Sequence, residues 1–299
     1  MFDVIDLHFQ GQREVIASYV LRGPKGIALV ETGPGSTLAR LETGLHGLGL
    51  DWHDITDVLV THIHLDHAGA AGAVARKSGA RVYVHHVGAP HLADPSRLLA
   101  SAQRIYGDLM EPLWGEILPV PGDQLCILHD NDIIEAAGLR IQALDTPGHA
   151  SHHMAYLVEG LCFTGDVAAA RLPGSAHVRL PTPPPDIDIP AWHDSLNRLR
   201  RLHPDRLALT HYGPVAGDPQ THLDRVDANL DAMANFVYQR WVSSGQTDGE
   251  AMIPEFTAWI AGQAAQDGAD ADTIQRYEVA VPSYMEVGGL VRYFKKVAG

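Results

Sequence analysis

The sequence predicts a mixed α/β fold in which two strand-rich stretches carry flanking helices and a purely helical region follows. Three observations predict it. Short apolar or β-branched runs alternate with helically spaced apolar positions up to about residue 84; strands separated by glycine and asparagine turns crowd residues 123 to 165; and after residue 218 only helical segments remain.

Taken in order, Asp3 to Phe9 alternates, Glu14 to Arg22 is β-branched and apolar, and Gly26 to Val30 is a short apolar run before the turn Gly33-Pro34-Gly35, which together predict an antiparallel opening. Ser36 is read as the N-cap of a helix that runs to Leu48 through Leu38, Leu41 and Leu45, with Gly49 where a C-terminal glycine belongs. A buried strand at Val58-Leu59-Val60, a histidine-rich loop, a helix from Ala70 to Lys77 and a strand from Arg81 to Val84 come next, and the segment Pro90 to Arg97 is read as capping a helix beside a pocket. Strands are expected at Leu125–Leu128, Asp132–Glu135, Leu139–Leu144, Met154–Val158 and Leu161–Thr164. The proline-dense segment Pro173 to Pro190 is neither helix nor central strand and is read as a long, partly extended surface loop bordering a site. A helix from Pro190 to Leu202 and a strand from Arg206 to Leu209 follow, then helices near 219–243, 250–266, 270–279 and 286–297.

At 299 residues and 45% hydrophobic content the chain supports one large domain, with or without an appendage. A formal net charge of −14 disfavours nucleic acid and anionic membrane surfaces as partners. The basic cluster Arg198, Arg200 and Arg201 reads as the solvated face of a helix. Cys126 and Cys162 are too few for a disulfide framework and are read as buried thiols in a reducing compartment. With no leader-like start and no apolar run long enough to cross a bilayer, a soluble cytoplasmic protein is expected.

The unusual count is 18 histidines, several of them clustered. In His62-Ile63-His64-Leu65-Asp66-His67 a strand delivers three imidazoles and a carboxylate within six residues. Alternate residues His62 and His64 can converge on one ion while Asp66 and His67 turn toward a neighbouring point. Imidazole and carboxylate suit zinc and other first-row metals, whereas calcium and magnesium prefer oxygen shells. A polar loop with incidental histidines would have to desolvate four such groups with no shared counter-ion.

Around that loop stand Thr61 through Gly69, Thr146-Pro147-Gly148-His149, Phe163-Thr164-Gly165-Asp166 and Thr210-His211-Tyr212-Gly213, with a weaker Glu31-Thr32-Gly33 where aspartate is commoner in the first place. In these motifs and their order, from about residue 3 to 216, the chain resembles the metallo-β-lactamase-fold superfamily, in particular its glyoxalase II-like and lactonase-like hydrolases. The resemblance implies a four-layer αββα sandwich over residues 1–217, with residues 218–299 as a helical appendage covering the substrate cleft. It implies that His62, His64 and His149 bind a first metal, that Asp66, His67 and His211 bind a second, and that Asp166 bridges them. Two divalent transition-metal ions are therefore expected, zinc first, with iron or manganese as alternatives. A water shared by such ions becomes a hydroxide near neutral pH, so the expected chemistry is its attack on an ester, thioester, lactone or phosphoester bond of a small molecule. Asp66 and Asp166 are the candidates to receive or relay the proton. No Gly-x-Ser-x-Gly nucleophile motif is present.

Further candidates are His153, Tyr212 and Tyr284 as substrate contacts or supports of the ligands, and His85 and His86 as groups lining the site. The unclustered His8, His46, His53, His129, His177, His193, His203 and His222 are read as exposed or locally hydrogen-bonded. Within the helical region, Val281-Pro282-Ser283-Tyr284-Met285, where a proline interrupts the helical pattern, is expected to line a mostly apolar pocket above the metals. The residues after Asp166, Val167-Ala168-Ala169-Ala170, lack the tyrosine common in lactonases of this fold, and the thiolate ligand of several true β-lactamases is missing. The alternative function is a non-haem iron oxidoreductase of the same fold, resembling persulfide dioxygenases; the helical rather than βαβ character after residue 218 goes against a flavodoxin-bearing oxidase. A small molecule is the expected partner, and the reading leaves room for a homodimer.

Overall fold

A computed structural model describes residues 2–246 and 249–298. Six strands form the first sheet in sequential order: β1 (Phe2–Asp6), β2 (Ala17–Gly23), β3 (Gly26–Val30), β4 (Ile55–Leu59), β5 (Arg81–His85) and β6 (Leu125–Leu128). The opening β1-β2-β3 meander is antiparallel, as its short turns require, and β3 through β6 run parallel because helices cross between them. Those crossovers are α1 (Leu38–Gly47), the single turn α2 (Leu65–Ala68), α3 (Ala71–Ser78), α4 (Ala89–Ala93), α5 (Ser96–Tyr106) and α6 (Met110–Trp114). The second sheet has the order β12 (Gly213–Pro214), β11 (Arg206–Leu209), β10 (Leu161–Phe163), β9 (Met154–Val158), β8 (Leu139–Asp145) and β7 (Ile133–Ala136). Helix α7 (Ile189–Leu202) leads into β11, and α8 (Pro219–Ser243), α9 (Ile253–Gln266), α10 (Ala271–Ala280) and α11 (Ser283–Ala298) end the chain.

Strand alternation explains the layering. Along β2 and β3, Tyr19, Leu21, Ala28 and Val30 face the other sheet, where they meet Tyr156, Phe163 and Ala208. Their neighbours Val20, Ile27 and Leu29 face outward onto Leu41 and Leu45 of α1 and Val74 of α3. On the far side, Cys162 and Leu207 pack with Leu196 of α7, Leu230 of α8 and Leu290 of α11. Two sheets with helices on both outer faces make the αββα sandwich that the sequence predicts, with further helices at the C-terminal end. Helices α8 and α11 thus bury apolar side chains in the same core as α7.

Local differences from the sequence reading have physical causes. β1 stops at Asp6 because His8 and Gln10 adopt left-handed backbone around a short 3-10 turn, and β2 starts only at Ala17 because Glu14 is also left-handed, its amide held by Asp6. Ser36 does not cap α1: its hydroxyl donates instead to the Leu113 carbonyl across the fold, and α1 starts at Leu38. Cys162 is buried but Cys126 only half so. Among the described residues no helix is long and apolar enough to cross a membrane.

Candidate metal centre

The ends of β3, β4, β8, β10 and β11 meet along one edge of the sandwich, and each delivers a short loop with one or more polar side chains. β4 leads into Thr61, His62 and His64, with Asp66 and His67 on the following turn α2; β8 leads to His149, β10 to Asp166 and β11 to His211. The loops are tied to one another, since the Met154 amide donates to the Thr61 carbonyl and the Thr164 amide to the Ala208 carbonyl. Gly165 is needed for the approach. Its φ is +49°, and a Cβ there would lie 2.5 Å from Thr61 Oγ1 and 2.6 Å from His153 Nε2.

Four of the five rings, all but His64, are oriented by a partner on the nitrogen that faces away from the cluster. His149 Nδ1 donates to the Pro181 carbonyl at 2.8 Å, His211 Nδ1 to the Val15 carbonyl at 2.8 Å, and His67 Nδ1 to Glu31 Oε1 at 3.2 Å. The Thr61 hydroxyl donates to Glu31 Oε1, so its oxygen accepts from His62 Nδ1 at 3.1 Å. These contacts place the ring proton outward and leave a lone pair on Nε2 of all four rings.

The inward atoms then crowd together. His62 Nε2 lies 3.2 Å from His149 Nε2, and His64 Nδ1 lies 2.9 Å from each. Facing lone pairs at that distance repel unless a cation lies between them, and the edge of a tetrahedron with metal–nitrogen bonds of 2.0–2.1 Å is about 3.3 Å. A second group is formed by Asp66, His67 and His211, with Asp66 Oδ2 at 3.7 Å from His67 Nε2 and 3.4 Å from His211 Nε2. Asp166 stands between the groups: Oδ2 is 3.4 Å from His149 Nε2, while Oδ1 is 3.2 Å from His67 Nε2 and 3.7 Å from His211 Nε2. Yet His67 Nε2, His211 Nε2 and Asp166 Oδ1 are buried without any hydrogen bond. They sit at ion-pair distance but are not aligned as donor and acceptor, the arrangement expected of atoms aimed at a common point. Orphaned buried atoms, outward-held protons and a nitrogen–oxygen donor set together fit two transition-metal ions.

The two groups differ in their electrostatics. Burial holds His62 well below its usual range, helped by the neighbouring rings, and pushes His64 down to about 3; burial lowers His149 as well. All three are thereby shifted toward the neutral ring that a ligand requires. Burial would also lower His67 and His211, but the Asp166 and Asp66 carboxylates outweigh it and raise both. Burial pushes the two carboxyls up, yet His67 with its neighbours more than offsets this, holding Asp166 well below the carboxylate range and Asp66 at about 2.

All seven expected ligand positions therefore come together. His153 is buried behind them, its Nε2 accepting from the Asp166 amide at 3.1 Å and its Nδ1 donating to Thr146 Oγ1 at 2.8 Å, which locks the Asp166 loop to the His149 loop. Tyr284 lines the cavity above the cluster, whereas Tyr212 packs half-buried outside that lining. His85 and His86 are outside it too: His85 pairs with Asp145 at 3.3 Å and His86 stacks on His129. His177 and His222 are not surface groups; both are buried, His177 on Asp267 and His222 on the Ala168 carbonyl.

Two residues were not singled out from sequence. His152 is buried at the cavity wall, stacked 6.1 Å from His62, with no separate motif to mark it beside His149 and His153. Glu31 accepts at one oxygen from Thr61 Oγ1 and Thr210 Oγ1 and holds His67, so one buried carboxylate ties together the ligand loops after β4 and β11. Its signal is the replacement of aspartate by the longer acid in Glu31-Thr32-Gly33.

Comparison with known proteins places this geometry in a family. The chain is 31% identical over 206 residues to a metallo-beta-lactamase fold-containing protein of Sulfurisphaera tokodaii, covering 68% of this chain and 75% of that one. It is 32% identical over 178 residues to a hydroxyacylglutathione hydrolase of Ectopseudomonas mendocina, covering 58% of this chain and about half, 52%, of that protein. A solved structure of a metallo-beta-lactamase family protein from Thermus thermophilus superposes with a TM-score of 0.63 at 22% identity, covering 99% of this chain and 94% of that one, so the fold is shared through the C-terminal helices. The family description of the metallo-beta-lactamase superfamily matches residues 11–211, the span that carries every loop of the cluster, and the chain belongs to that superfamily.

Proposed function

We propose that the chain is a dinuclear metal-dependent hydrolase acting on an ester, thioester, lactone or phosphoester bond of a small molecule. The supporting observation is the position of Asp166, one oxygen toward His149 and the other toward His67 and His211. In this reading His62, His64 and His149 hold one ion, Asp66, His67 and His211 hold the other, and Asp166 is shared. Zinc suits the donor set first, with iron or manganese as alternatives. Such a pair, when bound, supplies Lewis acidity and a water of lowered pKa.

The chain's own groups do the rest. Pro181, Val15 and Glu31 fix the ring tautomers, so no reorganisation is needed on binding. Asp166 is almost fully buried, whereas the Asp66 side chain is 22% exposed to the cavity, which makes Asp66 the carboxylate able to pass a proton to solvent. Tyr284 at the cavity wall contacts substrate. The test is a panel of thioesters, lactones, phosphotriesters and β-lactams with metal-loaded protein. Metal-dependent hydrolysis of at least one class, abolished by chelation, is expected; no hydrolysis, with oxygen uptake by the iron-loaded protein on a persulfide, would replace the reading with the oxidoreductase one.

A further inference from the structure

The cluster lies at the floor of a cavity of about 490 Å³, large for a site whose chemistry needs only a scissile bond. Away from the floor its walls are mostly apolar and come from three distant parts of the chain. On one side, Phe9 stacks on Trp114 at 5.6 Å and Tyr106 meets Trp114 edge-on at 5.0 Å, with Ile105 beside them on α5. On the other, Val281 and Met285 line the cavity where α10 passes into α11. Ile105 and Tyr284 remain 41% and 44% exposed, so this lobe holds apolar surface that the fold does not itself cover.

Charge points the same way. Among the described residues lining the cavity, Arg97 is the only lysine or arginine and is exposed, while Asp66, Asp166, Asp186 and Glu286 are acidic. The walls therefore offer no cluster of basic side chains to hold a substrate carrying several negative charges, and in the hydrolase reading Asp66 and Asp166 are taken up by the ions. We infer that the substrate of the proposed hydrolase is a neutral ester, thioester or lactone with a hydrophobic acyl or alkyl chain, which lies in the lobe walled by Phe9, Ile105, Tyr106, Trp114, Val281 and Met285. This rests on the hydrolase reading for the reaction but not for the binding.

Two measurements separate them. With metal-loaded protein, kcat/KM for p-nitrophenyl acetate, butyrate and octanoate should rise by up to about fourfold per added methylene until the lobe is filled, and a neutral octanoyl thioester should be cleaved faster than S-octanoylglutathione. Calorimetric binding of octanamide and acetamide needs no turnover and should favour octanamide by at least tenfold. Ile105→Glu, at a partly exposed position that tolerates a charge, should lower both the octanoate-to-acetate ratio and the octanamide affinity. If octanamide binds no tighter than acetamide, or the glutathione thioester is preferred, the inference is overturned. If octanamide binds tightly and no ester, thioester, lactone or phosphoester is cleaved, the lobe stands and the hydrolase reading falls.

Discussion

The ligand edge and the cavity wall above it are built by opposite means. At the edge, seven buried or nearly buried groups arrive on short loops at strand ends; four of the rings are fixed by a hydrogen bond on the outer side, and His67, His211 and Asp166 each keep an unsatisfied atom inside. The wall comes from helices α5, α6, α10 and α11, its contacts are apolar, and part of it is open to solvent. It is clamped by a buried charge cluster: Arg179 of the proline-dense segment donates to Glu286 of α11 at 2.9 Å and 2.5 Å and pairs with Glu278 of α10 at 2.7 Å. Chemistry is thus fixed by groups that need an ion to be satisfied, and shape by groups that satisfy one another. One consequence is that the two should fail separately.

The largest expected effect is at the edge. Asp166→Ala removes the oxygens facing both groups, so both ions should be lost together and activity should fall by more than the 10–100-fold typical of an outer partner; elemental analysis after dialysis and kcat/KM measure this. Retention of both ions would remove Asp166 from the shared position. Next comes the wall. Glu286→Ala leaves Arg179 buried without its main partner, which should cost about 3–5 kcal/mol of stability in denaturant unfolding, while metal content of the folded protein stays unchanged. Loss of metal from the folded variant would show that wall and edge are one unit.

A smaller effect is expected from Glu31→Gln, which keeps the acceptor but drops the charge beneath His67: metal affinity measured against a chelator should weaken about 10–100-fold, with the fold intact. Smallest is a pH effect confined to the wall. Burial raises Glu286 from 4.5 to about 7 against the pull of Arg179. The folded protein therefore binds this proton more tightly than the unfolded chain, and the resulting stability is present below about pH 4.5 and lost as pH rises through about 7. The stability of wild type relative to Glu286→Gln should accordingly decline across that window; a flat difference would contradict it.

The same contrast explains what the sequence made legible. The ligands of the first loop could be found because a metal site demands particular donors at short spacing, so His62 to His67 carry their meaning locally, whereas His149, Asp166 and His211 were found through the family resemblance of their motifs. Strands such as Gly26–Val30 and Met154–Val158 were legible for a like reason, since burial forces an apolar pattern on a few consecutive residues. The wall was half legible. Val281 to Met285 was marked by a proline breaking a helix, but Phe9, Ile105, Tyr106 and Trp114 meet only through the fold; the available signal was the helical spacing of Leu98, Ala102 and Ile105. Glu31 and His152 act through neighbours brought from other loops, and no local pattern states that. Ser36 shows the converse: a residue apt for capping was drawn to the Leu113 carbonyl, 77 positions away.

Whether two ions share Asp166 can be read from anomalous scattering by crystals of the zinc-loaded protein. Two peaks per chain are predicted, one contacted by His62, His64 and His149, the other by Asp66, His67 and His211, with one oxygen of Asp166 on each. A single peak, or two peaks with Asp166 touching neither or only one, would rule out a shared Asp166.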